Sequence, residues 1–241
     1  MVYTVFMFIQ KEIDGQKVFY SDILPELEHY FTTRGVNIDS FSTSLGIKNE
    51  NLIHPIQTHS SNISFAQIGV SEYPDTDALI LTNFYQALYL RFADCTPVIL
   101  YDNKSNIAAV AHAGWRGTVA SIVPKTVSKM LEYANSSVED IFAVIGPAIG
   151  ACCYKVGEEV VDGIKSTISD VSDVIFEKKD GVYIDLKNAN ARQLFQLGVR
   201  KDHIDVCPYC TSCNNDMFYS YRKENGTDKR HYAFIRLKNF F

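Results

Sequence analysis

The sequence has no surplus of positive charge: 23 Lys and Arg stand against 28 Asp and Glu, for a formal net charge of −5. That balance removes the electrostatic footprint of a nucleic-acid binder or of a protein drawn to acidic membranes. No stretch approaches the roughly 20 apolar residues that span a bilayer. The opening string from Met1 to Gln10 is apolar but lacks a basic leader region and a small-residue cleavage site, so it predicts a first strand and a cytoplasmic protein. No low-complexity tract, internal repeat or Pro/Gly/Ser linker divides the 241 residues, which predicts a single catalytic-size domain over 1–241. Disorder is excluded as well, because charged residues make up only 21% and hydrophobic residues 46%.

What is present is a chain large enough to build its own core. At this length folding buries about 70% of the surface exposed by the unfolded chain, so the six cysteines are not needed as disulfide staples. In a reducing compartment they are free to bind metal or act as nucleophiles. Apolar runs of strand length occur at Ala87–Phe92, Val98–Tyr101, Ile107–Ala111, Ile141–Ile145 and Tyr232–Leu237. Such runs suggest sheets covered on both faces.

Three stretches have helical periodicity. Val119–Ala134 repeats apolar residues every three to four positions, with Pro124 marking where the regular helix starts and Ser121 as its candidate cap. Gly157–Ile168 aligns Val160, Val161, Ile164 and Ile168. Asp185–Leu197 opens on a capping Asp and stops at Gly198. Strands and helices are interspersed without strict βαβ alternation, which predicts a mixed-sheet α+β domain.

Three loops carry the residues suited to chemistry. Gln57-Thr58-His59 offers one imidazole, Ala93-Asp94-Cys95-Thr96-Pro97 a thiol between two apolar strands, and His112-Ala113-Gly114-Trp115-Arg116-Gly117 a second imidazole at a helix entrance. One Cys and two His make three zinc ligands with a fourth position open to water or substrate. The separations of 36 and 17 residues carry little weight on their own, and on residues alone a buried Cys with two structural His at strand ends is the better reading.

Asp77 and Asp94 are candidate proton donors or partners behind the ligands. Arg116, flanked by glycine, and Arg222, in Ser220-Tyr221-Arg222, carry forks suited to phosphate or carboxylate. The remaining cysteines read as structural thiols. Cys207, Cys210 and Cys213 have no matching second CxxC, and the adjacent pair Cys152-Cys153 is not expected to aim at one metal.

Taken in order, several strings resemble the YfiH family, also called the laccase-domain or polyphenol oxidase family. They are Phe31-Thr32-Thr33-Arg34, Gln57-Thr58-His59, Asp77-Ala78-Leu79, Ala93-Asp94-Cys95-Thr96-Pro97-Val98, the 112–117 string, Gly146-Pro147-Ala148-Ile149-Gly150 with Cys152-Cys153-Tyr154, Asp185 with Arg192-Gln193-Leu194, and Cys210-Thr211 leading to Phe218-Tyr219-Ser220-Tyr221-Arg222. The sequence departs from the family pattern at Gly35-Val36-Asn37, Ser44, Lys155 and Thr227-Asp228-Lys229-Arg230, none of them a proposed ligand.

The resemblance implies an α/β/β/α-type sandwich and a Zn2+ bound by His59, Cys95 and His112. It also implies purine nucleoside chemistry: phosphate-dependent cleavage of adenosine, inosine and S-methyl-5'-thioadenosine, with adenosine deamination. Some bacterial members are credited with correcting peptidoglycan precursors. On this reading Asp94, Asp77 and Arg116 are the catalytic candidates, Arg34 and Arg222 bind substrate, and nucleosides and phosphate are the partners. Neither nucleic acid nor membrane is expected.

Counting tests the oxidase name. Four-copper chemistry uses about ten His ligands. The chain has six His and no His-x-His pair, although copper could replace zinc at the Cys/His site. Three other readings stay open: a cysteine hydrolase with Cys95 as nucleophile and His112 as base, a copper-dependent polyphenol oxidase, which the count disfavours, and a non-enzymatic zinc-binding module.

Overall fold

The structure is a computed structural model and describes residues 8–239. In chain order its first half runs β1 (Phe8–Ile13), β2 (Gln16–Ser21), β3 (Leu27–Thr32), α1 (Ile38–Ser44), β4 (Leu52–Pro55), β5 (Ile63–Phe65), β6 (Glu72–Tyr73), β7 (Ala78–Leu81), β8 (Ala87–Phe92), β9 (Thr96–Asp102) and β10 (Ile107–Ala113). There follow α2 (Trp115–Val119), α3 (Ile122–Ala134), β11 (Ile141–Ile145), β12 (Lys155–Val156), α4 (Glu158–Lys165), β13 (Ile175–Lys178), β14 (Gly181–Ile184), α5 (Leu186–Leu197), β15 (Ile204–Val206) and β16 (His231–Leu237). Most of the first strand expected over 1–10 lies outside the described residues, and β1 begins at Phe8.

The strands form a seven-stranded sheet (β1-β2-β3-β16-β8-β4-β6), a six-stranded sheet (β15-β11-β9-β10-β7-β5) and a small sheet (β12-β14-β13). Pairing is antiparallel except that β4 runs parallel to both β6 and β8, β5 to β7, and β11 to β15.

Every residue of β9 and β10 is buried, which is why their sequences read as unbroken apolar runs. Alternate side chains serve two cores. Ile99, Tyr101, Val110 and Val144 turn toward the seven-stranded sheet and pack on Phe31, Leu90, Phe92 and Ile235. Val98, Leu100, Ala109 and Ile145 turn the other way, under Val123, Val127 and Met130 of α3 and Leu194 of α5. On the far side, Phe41 of α1 covers Tyr30 and Phe234 of the seven-stranded sheet. The order is therefore helix, sheet, sheet, helix: a mixed α+β fold of the expected layering.

The helices follow their sequence signals with two adjustments. Asp185 caps α5 by accepting from the N–H groups of Lys187 and Asn188, and Gly198 closes it at φ 106°. The periodic stretch 119–134 is not one helix. A ladder through it would need an N–H from Pro124 to the Ala120 carbonyl, and proline has none. The chain breaks instead at Ser121, which sits in the left-handed region (φ 56°) and gives no side-chain cap, so α2 and α3 form as separate elements. α4 is shorter than expected, ending at Lys165, although Ile168 beyond it is still buried beside Val160 and Ile164.

Candidate metal centre and its cleft

At one end of the sandwich the chain passes repeatedly between the two large sheets. The β4–β5 connection carries His59, the tight β8–β9 crossing carries Asp94 and Cys95, and His112 lies in the last turn of pleat of β10. The long return from β15 to β16 brings Arg222 and Arg230 to the same end. Residues spread over the sequence thereby converge, because each lies on a connection or strand end at this end of the sandwich.

One buried carboxylate organises the convergence. Asp77 has no exposed surface and accepts hydrogen bonds from the backbone N–H groups of Thr58 (3.1 Å), His59 (3.0 Å) and Ser60 (2.7 Å), and from the Ser60 hydroxyl (2.7 Å). Three successive N–H groups aimed at one anion form a nest, and the bend that aims them places His59 at φ 62°. Asp77 also lies 2.7 Å from Nδ1 of His112. That contact makes Nδ1 the protonated nitrogen and leaves Nε2 for the Cys95 sulfur.

The donor atoms of His59, Cys95 and His112 all lie within 4.8 Å of one another, and the two imidazole centroids are 4.8 Å apart. Their electrostatics are coupled. Burial alone would raise the Asp77 pKa, but the bonds from His112 and Ser60 outweigh it and hold the carboxyl far below the usual carboxylate range. Burial would likewise raise the Cys95 thiol, yet the two imidazoles bring it down to about 6. For His112 burial works downward, and Cys95 with Asp77 lifts it to about 9. Without metal the pair is thus thiolate and imidazolium, the proton standing where a cation would bind.

The donor set fits one borderline-soft ion. Two imidazoles and a thiolate converge, and a carboxylate behind one imidazole fixes its tautomer as metal sites generally require. Gly114 makes room for this arrangement: a Cβ there would lie 3.0 Å from Cys95 Sγ and 3.4 Å from His59 Cδ2.

His59, Cys95 and His112 line a cleft of about 630 Å³, a size typical of small-molecule sites. Asp94 and Arg222, both expected in the site, line it too. Asp94 holds φ 82° and uses both carboxylate oxygens, accepting from the Thr211 hydroxyl (2.6 Å) and the Arg222 N–H (2.7 Å). The Arg222 guanidinium lies over the Tyr154 ring at 5.3 Å and donates to the Lys155 carbonyl.

Two expected residues are elsewhere. Arg34 is engaged by Glu224 (3.7 Å), the Asn215 carbonyl and the face of Tyr219, and it does not line the cleft. Arg116 is exposed, stacked on Trp115 at 4.4 Å, and also absent from the lining. Asp77 sits beneath the ligands and does not face the cleft.

The cleft wall includes four residues that sequence reasoning did not single out: Arg91, never named, and Tyr154, Tyr221 and Arg230, named only within strings. Arg91 had a readable signal, since it is a lone charge inside the apolar β8 string. Gln57 was noticed only as part of a string. Its amide pairs with the Arg91 main chain in both directions, at 3.0 and 2.9 Å, and so ties the His59 loop to β8.

The other cysteines correct an expectation. Cys207 is a buried thiol pushed up to about 12, chiefly by burial. The remaining four do not sit apart, because the Sγ atoms of Cys152, Cys153, Cys210 and Cys213 lie within 4.8 Å of one another.

Residues 35–238 match the family model described as multi-copper polyphenol oxidoreductase laccase. The chain belongs to this family. Within it, the purine nucleoside phosphorylase YlmD of Geobacillus stearothermophilus is 38% identical over 180 residues, which is 74% of this chain and 66% of that protein, just under two thirds of its length. An adenosine deaminase, RL5, from an unknown prokaryotic organism is 31% identical over 195 residues, covering 76% of this chain and 74% of the relative. Among solved structures, the YfiH protein of Bacillus licheniformis aligns with a TM-score of 0.89 at 28% identity, over 98% of this chain and 100% of its own.

The family's oxidase description finds little support in where the histidines fall. His29 and His231 are buried singly, His203 stacks on Phe142, and His54 lies 3.8 Å from Glu72. Only His59 and His112 join a cluster of possible ligands among the described residues. A trinuclear copper centre, which needs several imidazoles at one point, is not assembled. Among the described residues no helix is long and apolar enough to cross a membrane.

Proposed function

We propose that the chain is a zinc-dependent purine nucleoside enzyme that cleaves adenosine, inosine and S-methyl-5'-thioadenosine with phosphate and also deaminates adenosine. The observation that carries this reading is the meeting of His59, Cys95 and His112 on the floor of a cleft walled by three arginines and two tyrosines. The names of the relatives, a purine nucleoside phosphorylase and an adenosine deaminase, support the substrate class. The family match over 35–238 and the core shared by both large sheets support treating 1–241 as one catalytic unit.

His59, Cys95 and His112 would hold the zinc, which when bound supplies a Lewis acid for a substrate oxygen or for water; copper could occupy the same donors. The chain's own residues do the rest. Asp77 keeps His112 protonated on Nδ1, so Nε2 remains a donor of electrons to the metal. Arg91, Arg222 and Arg230 give the cleft positive charge suited to phosphate. Tyr154 and Tyr221 offer aromatic faces to a purine. Asp94 is the carboxylate that both faces the cleft and holds Arg222, which makes it our choice for proton transfer, with Asp77 in the orienting role. Arg34 and Arg116, which lie outside the cleft lining, take no direct part on this reading. We place the reaction in the cytoplasm, where Cys95 stays reduced.

The test is direct. Wild type and His59→Ala are purified, bound metals are measured, and adenosine is followed by chromatography with and without phosphate. Adenine released only with phosphate marks phosphorolysis, and inosine marks deamination. Loss of both in His59→Ala together with its metal is expected. Metal-free wild type that turned over undiminished would overturn the zinc mechanism and leave Cys95 and His112 as a nucleophile–base pair.

A further inference from the structure

Four sulfurs that the proposed reaction does not use lie together beside the cleft. Cys152 and Cys153 belong to the turn after β11, and Cys210 and Cys213 to the segment after β15, some sixty residues later. We infer that Cys152, Cys153, Cys210 and Cys213 form a second metal site, a mononuclear tetrathiolate zinc centre that clamps these two segments together. This inference is independent of the nucleoside reading above.

The spacing is what a single small cation requires. A zinc–sulfur distance of about 2.3 Å in a tetrahedron puts the four sulfurs about 3.8 Å apart. Here Cys213 Sγ is 3.4 Å from both Cys152 Sγ and Cys153 Sγ, and no pair in the set exceeds 4.8 Å. An iron–sulfur cluster would hold some of its ligands wider than this, since they bind different irons. All four cysteines are free thiols.

The backbone is arranged for thiolates. Turn bonds from the N–H groups of Cys153 and Tyr154 to the Gly150 carbonyl, both 2.9 Å, curl the chain so that adjacent cysteines can reach one point. Gly150 donates its N–H to Cys210 Sγ at 3.2 Å, a bond that favours the charged form of sulfur. Gly150 packs directly on the cluster, since a Cβ there would lie 3.4 Å from Cys152 Sγ and from Cys210 Cβ. Lys178 donates to the Ala151 carbonyl at 2.8 Å and so brings a cation to a centre that would carry net negative charge. Cys152 and Cys213 are exposed, which leaves the ion a way in.

The clamp sits directly behind the cleft. Ala148 bridges to Cys210, Thr211 next to it holds Asp94, and Ile149 and Tyr154 line the cleft wall. The ion would therefore be structural, fixing the wall against which substrate binds.

The protein is reconstituted with zinc under reducing conditions, desalted and assayed for metal per chain by mass spectrometry. Two zinc ions per wild-type chain are expected, with one retained in His59→Ala. Cobalt loaded into His59→Ala should give the strong sulfur-to-cobalt charge-transfer absorption of a tetrathiolate site, and Cys152→Ser/Cys213→Ser should lose that absorption. If the cysteine variant does not fold, the comparison of wild type with His59→Ala decides alone. A single zinc that disappears with His59→Ala, or a disulfide among the four cysteines in protein isolated under reducing conditions, would overturn the proposal.

Discussion

Asp77 organises more of the site than either imidazole, although it does not line the cleft. Its carboxylate collects the Thr58, His59 and Ser60 N–H groups, the Ser60 hydroxyl and His112 Nδ1, so one side chain fixes both the loop of one ligand and the tautomer of another. Asp77→Asn keeps the size but replaces one accepting oxygen with an N–H₂ facing other donors. We expect metal affinity to fall roughly 10–100-fold, as for other partners behind metal ligands, read by competition with a chromophoric chelator. Unchanged affinity would refute the orienting role. At this scale the sequence was partly legible. His59, Cys95 and His112 are zinc-ligand types at strand ends, and that pattern needs no knowledge of the fold. The position of Arg34 was not legible, because its partners Glu224 and the Asn215 carbonyl lie far along the chain, and Arg116 is stacked on the neighbouring Trp115 ring. Free cations and engaged ones look alike in a sequence.

The connection from β10 into α2 shows how an element carries a constraint that no single side chain expresses. Gly114 has ordinary dihedrals (φ −66°, ψ 173°), so its need for glycine is spatial: a Cβ would stand 3.0 Å from the Cys95 sulfur, which would have to shift, and 3.4 Å from the His59 ring. Gly114→Ala would press on two ligands at once. We expect a chain that folds with a loss of about 1–3 kcal/mol, read from the urea midpoint, and that retains little metal at the His59 site. A full complement of metal in that variant would show that the ligands move aside freely. Among elements, the strands buried on both faces were the easiest to read, and β8 and β11 match their apolar runs end to end. β12 and β13 were not legible, because edge strands with exposed residues lack such runs. Pro124 marked the helix break correctly, since a missing N–H acts locally. The cysteine cluster was invisible for the opposite reason: adjacency suggests divergent side chains, and only the turn at 150–154, facing a segment sixty residues on, reverses that.

For the molecule as a whole, the buried histidines set how stability responds to acid. His29 lies between the sheets with Nδ1 3.0 Å from the Leu27 carbonyl and Nε2 accepting from the Ser21 N–H at 3.1 Å, so both nitrogens are committed to the neutral form. Burial, with the Lys238 charge nearby, lowers its pKa to about 4, and burial takes His231 to about 3. As pH falls from about 6.5, the unfolded chain takes up protons that the folded chain refuses, and stability declines. The shift at His29 amounts to about 3 kcal/mol once pH reaches the folded value. Above that window the metal-free Cys95–His112 pair changes little. Folding moves a proton from sulfur to imidazole, so folded and unfolded chains bind the same total between about 6.5 and 9. The expected curve for chelator-treated protein is therefore flat from about pH 8 to about 6.5 and falls toward about 4.5. Urea midpoints at a series of pH values give the curve, and His29→Gln should make the acid limb shallower while leaving the flat limb in place. Equal midpoints at about pH 7 and about pH 5 would mean that the folded protein accepts these protons without cost, against both the burial of the two rings and the committed nitrogens of His29.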